Sequence, residues 1–338
     1  LVHGTAANWQ PTPRQVEPVL QVANAITTGD DWLIVTHERP DGDAVGSALA
    51  VASLLTALGK GWRVLVEEPL PIRFSFLPGH GAVSLVQAMP DRQFTQVIAV
   101  DCADVHRYEY AAGYIEKSPV LINIDHHQTN PGYGTVALVD PLAAATCELV
   151  YHVTRALGVK LDENLSMCLY TGILTDTGGF SLPNTTREVH QIAAELLAGG
   201  VRPYDVAEPA LESRTWEQMR LLQVALSHLV LSQNGRYATM FVTREMLNAT
   251  GCTDDDAEGL VGFARSIDTV EVGMLFRETL DHRVKISLRS KRNVDVALIA
   301  QVFAGGGHMR AAGCTVAGSL PEVMKRVIEQ VELVMPEA

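Results

Sequence analysis

With 338 residues, 47% hydrophobic and 19% charged, the chain exceeds the usual size of one core, which argues for two domains and against disorder. A formal net charge of −13 excludes the broad basic surface of a general duplex-binding protein, though not a small anionic substrate held in a locally basic or cation-filled cleft. The five cysteines, Cys102, Cys147, Cys168, Cys252 and Cys314, never form a CxxC pair, so neither a disulfide framework nor a thiolate zinc site is indicated, and a reducing cytoplasm fits best.

The opening segment LVHGTAANWQPTP lacks the basic end and apolar core of a secretory signal, and no later run approaches a membrane span. Residues 1–15 are therefore expected to form a loose leader. From WLIVTH (32–37) the pattern is a short strand, a loop ERPDGD and a long apolar helix AVGSALAVASLLTALG closed by Gly59. The unit recurs. RVLVEE (63–68), QVIAVD (96–101) and PVLINID (119–125) read as strands covered on both faces, followed by helical AAATCELVYHVTRALG and NLSMCLYTGILTDTG. Such alternation predicts an open, mostly parallel α/β sheet over residues 16–200.

After REVHQIAAELLAGG (187–200) the pattern changes. Residues 201–222 are expected to act as a connector. From 223 to 338, strand-like YATMFVT, TVEVGMLFRE, RVKISLRS and CTVAG alternate with helical DAEGLVGFARS and DVALIAQVFA, predicting a smaller mixed α+β domain.

Ligands of open α/β sheets gather at the carboxyl ends of the strands. Those ends carry His37 with Asp41 and Asp43, then Asp101, then Asp125, His126 and His127, while Asp176 ends the helical run LYTGILTDTGG. Singly, each has an ordinary explanation: Asp43 as a helix cap, His37 as a hydrogen-bonded polar residue, Asp176 as a helix terminator. Jointly, three strand ends bearing ligand-type side chains point to one constellation. Carboxylates and imidazoles without thiolates favour Mn²⁺, Mg²⁺ or Fe²⁺ over structural zinc. Asp41, Asp43, Asp101 and Asp176 bring about four negative charges, which two divalent cations would neutralise, leaving the site able to accept a phosphate. Two ions about 3.5–4 Å apart are a standard device for phosphoester hydrolysis.

These residues resemble the DHH phosphoesterases with a C-terminal DHHA1 domain, a RecJ-like family. The resemblance runs through THERPDGDAVGS (36–47), VDCAD (100–104), IDHHQTN (124–130), TGILTDTGGF (171–180) and GGGHMRAAG (305–313). It covers nearly the whole chain and is nearest to the short two-domain nanoRNases, or oligoribonuclease/pAp phosphatases. It implies that the active site lies in a cleft between a DHH and a DHHA1 domain. By motif, His37 and Asp41 would hold a first metal, Asp43 and His126 a second, and Asp101 and Asp176 would bridge both. His127 would face the scissile phosphate, and Asp125 would orient an imidazole by hydrogen bonding. Mn²⁺ is the expected ion, with Mg²⁺, Fe²⁺ or Co²⁺ as alternatives.

In the second domain, three glycines before His308 let the backbone approach an anion, although a tight turn explains them equally. RVKISLRS alternates Val284, Ile286 and Leu288 with Lys285, Ser287 and Arg289. The resemblance implies that Arg265, Arg289, Ser290, Gly305, Gly306, Gly307, His308 and Arg310 bind substrate, with Arg310 displaced by one position from the family's usual basic residue. The expected activity is hydrolysis of short oligoribonucleotides and 3′-phosphoadenosine 5′-phosphate, without duplex DNA or membrane partners. Turnover of cyclic or linear dinucleotide messengers is the alternative, and a silent nucleotide-binding module a third reading. The apolar stretch LLQVALSHLVL fits either a homodimer contact or packing within the chain.

Overall fold

The computed structural model describes residues 13–257 and 259–335; the first twelve residues of the expected leader lie outside them. The chain divides into two compact units between Ser213 and Arg214. The residues expected as a connector include a short helix ahead of that point and the first half of a helix after it.

In the first unit the strands are β1 (Trp32–Val35), β2 (Trp62–Val66), β3 (Ser84–Leu85), β4 (Phe94–Val100), β5 (Ile115–Asp125) and β6 (Val136–Val139). They form a parallel sheet in the order β3-β2-β1-β4-β5-β6. Ile34 of β1 lies opposite Val64 on one side and Ile98 on the other.

The uninterrupted apolar strands follow from burial on both faces. Trp32 and Ile34 pack into a core built by helices α1 (Pro13–Thr28), α2 (Gly42–Ala57), α3 (Thr146–Ala156), α4 (Glu163–Asp176) and α5 (Arg187–Ala198). Leu33 and Val35 point the other way, to Tyr108 and Ala111 in the 3₁₀ stretch Val105–Tyr114. Helix α1 begins at Pro13 and buries Val19, Val22 and Ile26 against this core, so residues 13–15 are helical. Helix α6 (Pro203–Ala207) runs into a π-helical turn, Glu208–Glu212.

The second unit carries β7 (Val230–Leu231), β8 (Tyr237–Val242), β9 (Val272–Glu278), β10 (Arg283–Ser290), β11 (Gly306–His308) and β12 (Ala311–Ala317), in the order β11-β12-β10-β9-β8-β7. Only β8 and β9 pair in parallel; the other pairs are antiparallel. The expected mixed sheet is thus present. Along β10 the predicted alternation holds: Val284, Ile286 and Leu288 are buried while Lys285, Ser287 and Arg289 are partly exposed.

Helices α7 (Trp216–Ser227), α8 (Arg244–Thr250) and α9 (Val261–Ser266) share a core in which Leu221, Leu222 and Ala225 of α7 are buried. This packing accounts for the buried part of LLQVALSHLVL. Helices α10 (Val296–Val302) and α11 (Leu320–Val334) share another core. Helix α11 goes beyond the expected elements, although Val323, Val327 and Val331 recur at helical spacing and are all buried. No helix among the described residues is long and apolar enough to cross a membrane.

Candidate metal centre

From β1 the chain builds the sheet outward one way through β2 and β3, and from β4 the other way through β5 and β6. Connections leaving β1 and β4 therefore part and open a crevice at the carboxyl ends of these two strands. His37 stands two residues past β1, Asp101 directly after β4, and Asp125 closes β5 with His126 and His127 following. Asp41 caps α2, its Oδ1 accepting the Asp43 and Ala44 amides at 3.1 Å, and Asp43 lies in the first turn of that helix. Asp176 is the last residue of α4.

Close packing of α2 on α4 carries Asp176 to the same spot. A Cβ on Gly46 would stand 2.6 Å from the Cys168 carbonyl, and one on Gly172 would stand 2.4 Å from Asp43 Oδ1. Only glycine lets these two helices approach so nearly.

The expected ligands converge. His37 Nε2 lies 3.5 Å from Asp101 Oδ2. His126 Nε2 lies 3.2 Å from Asp176 Oδ2, 3.7 Å from Asp101 Oδ1 and 3.9 Å from Asp43 Oδ2. Two triplets, His37–Asp41–Asp101 and Asp43–His126–Asp176, each keep one ligand atom per residue within 4.8 Å of the others. Asp101 also groups with His126 and His127, so it faces both triplets, whereas Asp176 groups with the second alone. The nearby thiols Cys102 and Cys147 are buried and held well above the ordinary range by that burial and by neighbouring aspartates. They stay protonated. The donor set is oxygen and nitrogen, the set divalent cations of intermediate hardness prefer.

Electrostatics points the same way. Burial and the charge of Asp101 push Asp43 up to about 7. Burial and the charges of Asp43, Asp41 and Asp101 hold Asp176 well above the carboxylate range, and its seat at a helix C-terminus is unfavourable to an anion as well. Burial would also raise Asp101, but the hydrogen bond from His37 and the charges of His126, His37 and His127 outweigh it and lower its carboxyl. For His37, burial is outweighed by the hydrogen bond and charge of Asp101, so the imidazole is raised. Protons thus gather where positive charge is wanted, and a divalent cation supplies the same charge. The residues fit the ions.

Several contributing groups escape the motif reading. The Thr146 and Cys147 amides, at the start of α3, donate to the two Asp43 oxygens at 2.5 and 3.0 Å, a helix N-terminus receiving an anion. Thr146 Oγ1 donates to Asp101 Oδ1 at 2.9 Å. Nothing in AAATCEL signals this, because Asp43 is over a hundred positions away. Asp125 is fully buried; its Oδ1 lies 2.7 Å from His127 Nδ1, and its Oδ2 accepts from Asn130 Nδ2 at 2.6 Å. Asn130 does lie inside the IDHHQTN motif. With burial opposing, the Asp125 hydrogen bond and the Asp101 charge bring His127 up to about 9. Elsewhere, Glu148, His152 and Glu188 also lie within 4.8 Å of one another, but Glu148 accepts the Ala144 amide at 2.7 Å and His152 Nε2 stands 3.4 Å from Glu188, contacts of ordinary side-chain packing.

In the second unit, Gly305 precedes the β11–β12 pairing and Gly307 lies within it, opposite Ala312. A Cβ on Gly305 would meet the Gly313 carbonyl at 2.3 Å, and one on Gly307, which sits at φ +139°, would meet the Ala311 carbonyl at 2.5 Å. Strand pairing therefore demands both, while Gly306 faces open space. His308 ends β11; its side chain lies outside the described residues. Arg310 donates to the Val294 carbonyl at 3.1 Å and to that of Arg292, and the buried Ser290 hydroxyl donates to the Met309 carbonyl at 3.4 Å. These bonds tie down the turn after β11. Arg289 Nη1 donates to the Leu288 carbonyl at 2.9 Å, and Arg265 is a partly exposed residue of α9.

A model of the DHH family, N-terminal domain, matches residues 31–173, and one of the DHHA1 domain matches residues 234–335. A Thermus thermophilus protein named bifunctional oligoribonuclease and PAP phosphatase NrnA is 35% identical over 324 residues, 95% of each chain. A Streptococcus mutans protein named probable bifunctional oligoribonuclease and PAP phosphatase NrnA is 31% identical over 84% of this chain and 89% of its own. The crystal structure of an exopolyphosphatase-related protein from Bacteroides fragilis superposes with a TM-score of 0.86 at 26% identity, covering 94% of this chain and 96% of that one.

Proposed function

This chain belongs to the DHH family, whose members are metal-dependent phosphoesterases, and from that premise we propose that it hydrolyses short oligoribonucleotides and 3′-phosphoadenosine 5′-phosphate. The observation that carries the reading is the convergence of His37, Asp41, Asp43, Asp101, His126 and Asp176 into two triplets that share the side of Asp101. The names of the relatives support the substrate class.

In this reading His37, Asp41 and Asp101 would hold one divalent cation, and Asp43, His126 and Asp176 would hold another, with Asp101 near both groups. The donor chemistry supports Mn²⁺, with Mg²⁺, Fe²⁺ or Co²⁺ able to substitute. When bound, such ions would supply Lewis acidity for phosphoester hydrolysis. The protein's own part is to position and to move protons. Asp125 accepts the Nδ1 proton of His127, which leaves Nε2 as the nitrogen that meets substrate. The ring so oriented by Asp125 at 2.7 Å is the group proposed to pass a proton from Nε2 to the departing oxygen. On the second unit Arg265, Arg289, Gly306 and His308 are the groups proposed to grip phosphate or base. Ser290, Gly305, Gly307 and Arg310 serve by shaping the hairpin that presents them.

The test is product analysis of metal-stripped protein resupplied with Mn²⁺, against 3′-phosphoadenosine 5′-phosphate, linear diadenylate and cyclic di-AMP in parallel. Cleavage of the first two with little of the third is expected. Preferential ring opening would replace this reading with messenger turnover, and inertness toward all three would leave a binding module.

A further inference from the structure

We propose that Asn130 is a positioning residue of this centre, its single amide holding both His127 and the turn that presents Asp101; the inference rests on the metal-dependent reading above. Asn130 Nδ2 lies 2.6 Å from Asp125 Oδ2, 2.8 Å from Asn123 Oδ1 and 3.2 Å from the Cys102 carbonyl. Its own Oδ1 accepts the Gly132 amide at 2.8 Å, which sets the direction in which the nitrogen points. An amide nitrogen has two hydrogens, so these three contacts share them.

Two consequences follow from where the acceptors belong. Asp125 is fully buried, and its two oxygens are divided between His127 Nδ1 and Asn130 Nδ2. The chain Asn130–Asp125–His127 therefore fixes the carboxylate's rotation, and the carboxylate fixes the imidazole. Second, Asp101 sits at φ +57°, a left-handed backbone uncommon outside glycine, although aspartate tolerates it better than most residues. The carbonyl of the next residue, Cys102, accepts from Asn130 Nδ2 at 3.2 Å, Asn123 Nδ2 at 3.3 Å and the Tyr133 hydroxyl at 3.0 Å. Among the described residues, Asn130 is the one side chain hydrogen-bonded to both this carbonyl and Asp125.

The experiment compares the wild-type chain with Asn130→Ala and with Asn130→Asp. The aspartate keeps the side chain's size but turns an oxygen toward Asp125, and it carries the test if the alanine variant does not fold. Proton NMR of the metal-free proteins follows the slowly exchanging, downfield Nδ1–H signal of His127, assigned by its absence in His127→Gln. Mn²⁺-loaded proteins are assayed on 3′-phosphoadenosine 5′-phosphate. Loss or broadening of the signal in folded variants is expected, together with a fall in kcat of about 10–100-fold and little change in KM. A folded variant that keeps the signal unchanged overturns the proposal. If wild type turns over no phosphoester, the functional reading fails, while the NMR comparison still decides the role of Asn130.

Discussion

His37 Nε2 and Asp101 Oδ2 face each other at 3.5 Å from the ends of neighbouring strands, β1 and β4, at the point where the sheet's strand order reverses. Each stabilises the other's charge: the imidazole is raised and the carboxyl lowered. His37 and Asp101 would both have to face a bound cation unprotonated. Metal uptake and proton release are therefore coupled.

Without metal, stability should decline as pH rises. Asp43 is held at about 7 against an ordinary 3.8 and His127 at about 9 against 6.5; Asp176 and His37 are raised as well. A group raised on folding binds more protons folded than unfolded between its two values. Its stabilisation is complete below the unfolded value and is lost as pH climbs through the folded one. The window runs from about 4 to 7 for Asp43 and from 6.5 to about 9 for His127. Asp101 works oppositely: its contribution is present above the ordinary carboxylate range and is lost only in strong acid. Melting temperatures in chelator should fall between about pH 5.5 and pH 9, and Mn²⁺ should reverse the slope; a rising metal-free profile contradicts the charge assignment.

Asp176→Asn should separate stability from activity. The substitution removes a carboxylate crowded by Asp43, Asp41 and Asp101 and seated at a helix C-terminus, where an anion is unfavourable by about 0.3–1 kcal/mol. The metal-free variant should melt slightly higher than wild type above neutral pH. It should also bind one Mn²⁺ weakly by calorimetry and lose at least about 100-fold in kcat.

Thr146→Val keeps a β-branched side chain but deletes the hydroxyl that donates to Asp101 Oδ1 at 2.9 Å. A loss of about 10-fold in Mn²⁺ affinity or turnover is expected, with destabilisation near 1–3 kcal/mol from the unsatisfied buried oxygen. Calorimetry and denaturant melts of the same preparation read both.

Glycine substitutions should divide by environment. Gly172→Ala drives a Cβ to 2.3 Å from Cys147 Sγ and 2.4 Å from Asp43 Oδ1, so overpacking of about 1–3 kcal/mol outweighs the gain in helix propensity. Gly262→Ala meets nothing within 4 Å in α9 and should be neutral or stabilising by up to about 1 kcal/mol. Urea denaturation of the two variants checks the contrast, and Gly172→Ala should also weaken metal binding.

What the sequence by itself determined is the local chemistry. Uninterrupted apolar runs set between helical patterns mark the strands whose carboxyl ends carry His37, Asp101 and Asp125, because a parallel strand covered on both faces is apolar along its length and leaves its ligands to its end. That made the α/β class, the mixed second sheet and the family legible. Short β3, β6 and β11 carry too few residues for a period, and they form because longer neighbours offer unpaired backbone groups. Only the tertiary structure decided that Asp176 reaches Asp43, since this depends on two glycines letting α2 and α4 close together. It also decided that Thr146 and Asn130 join the centre, and that Ser290 and Arg310 bond to backbone carbonyls. Hydrogen bonds between groups distant in the chain leave no periodic trace, because their partners are chosen by packing and not by spacing.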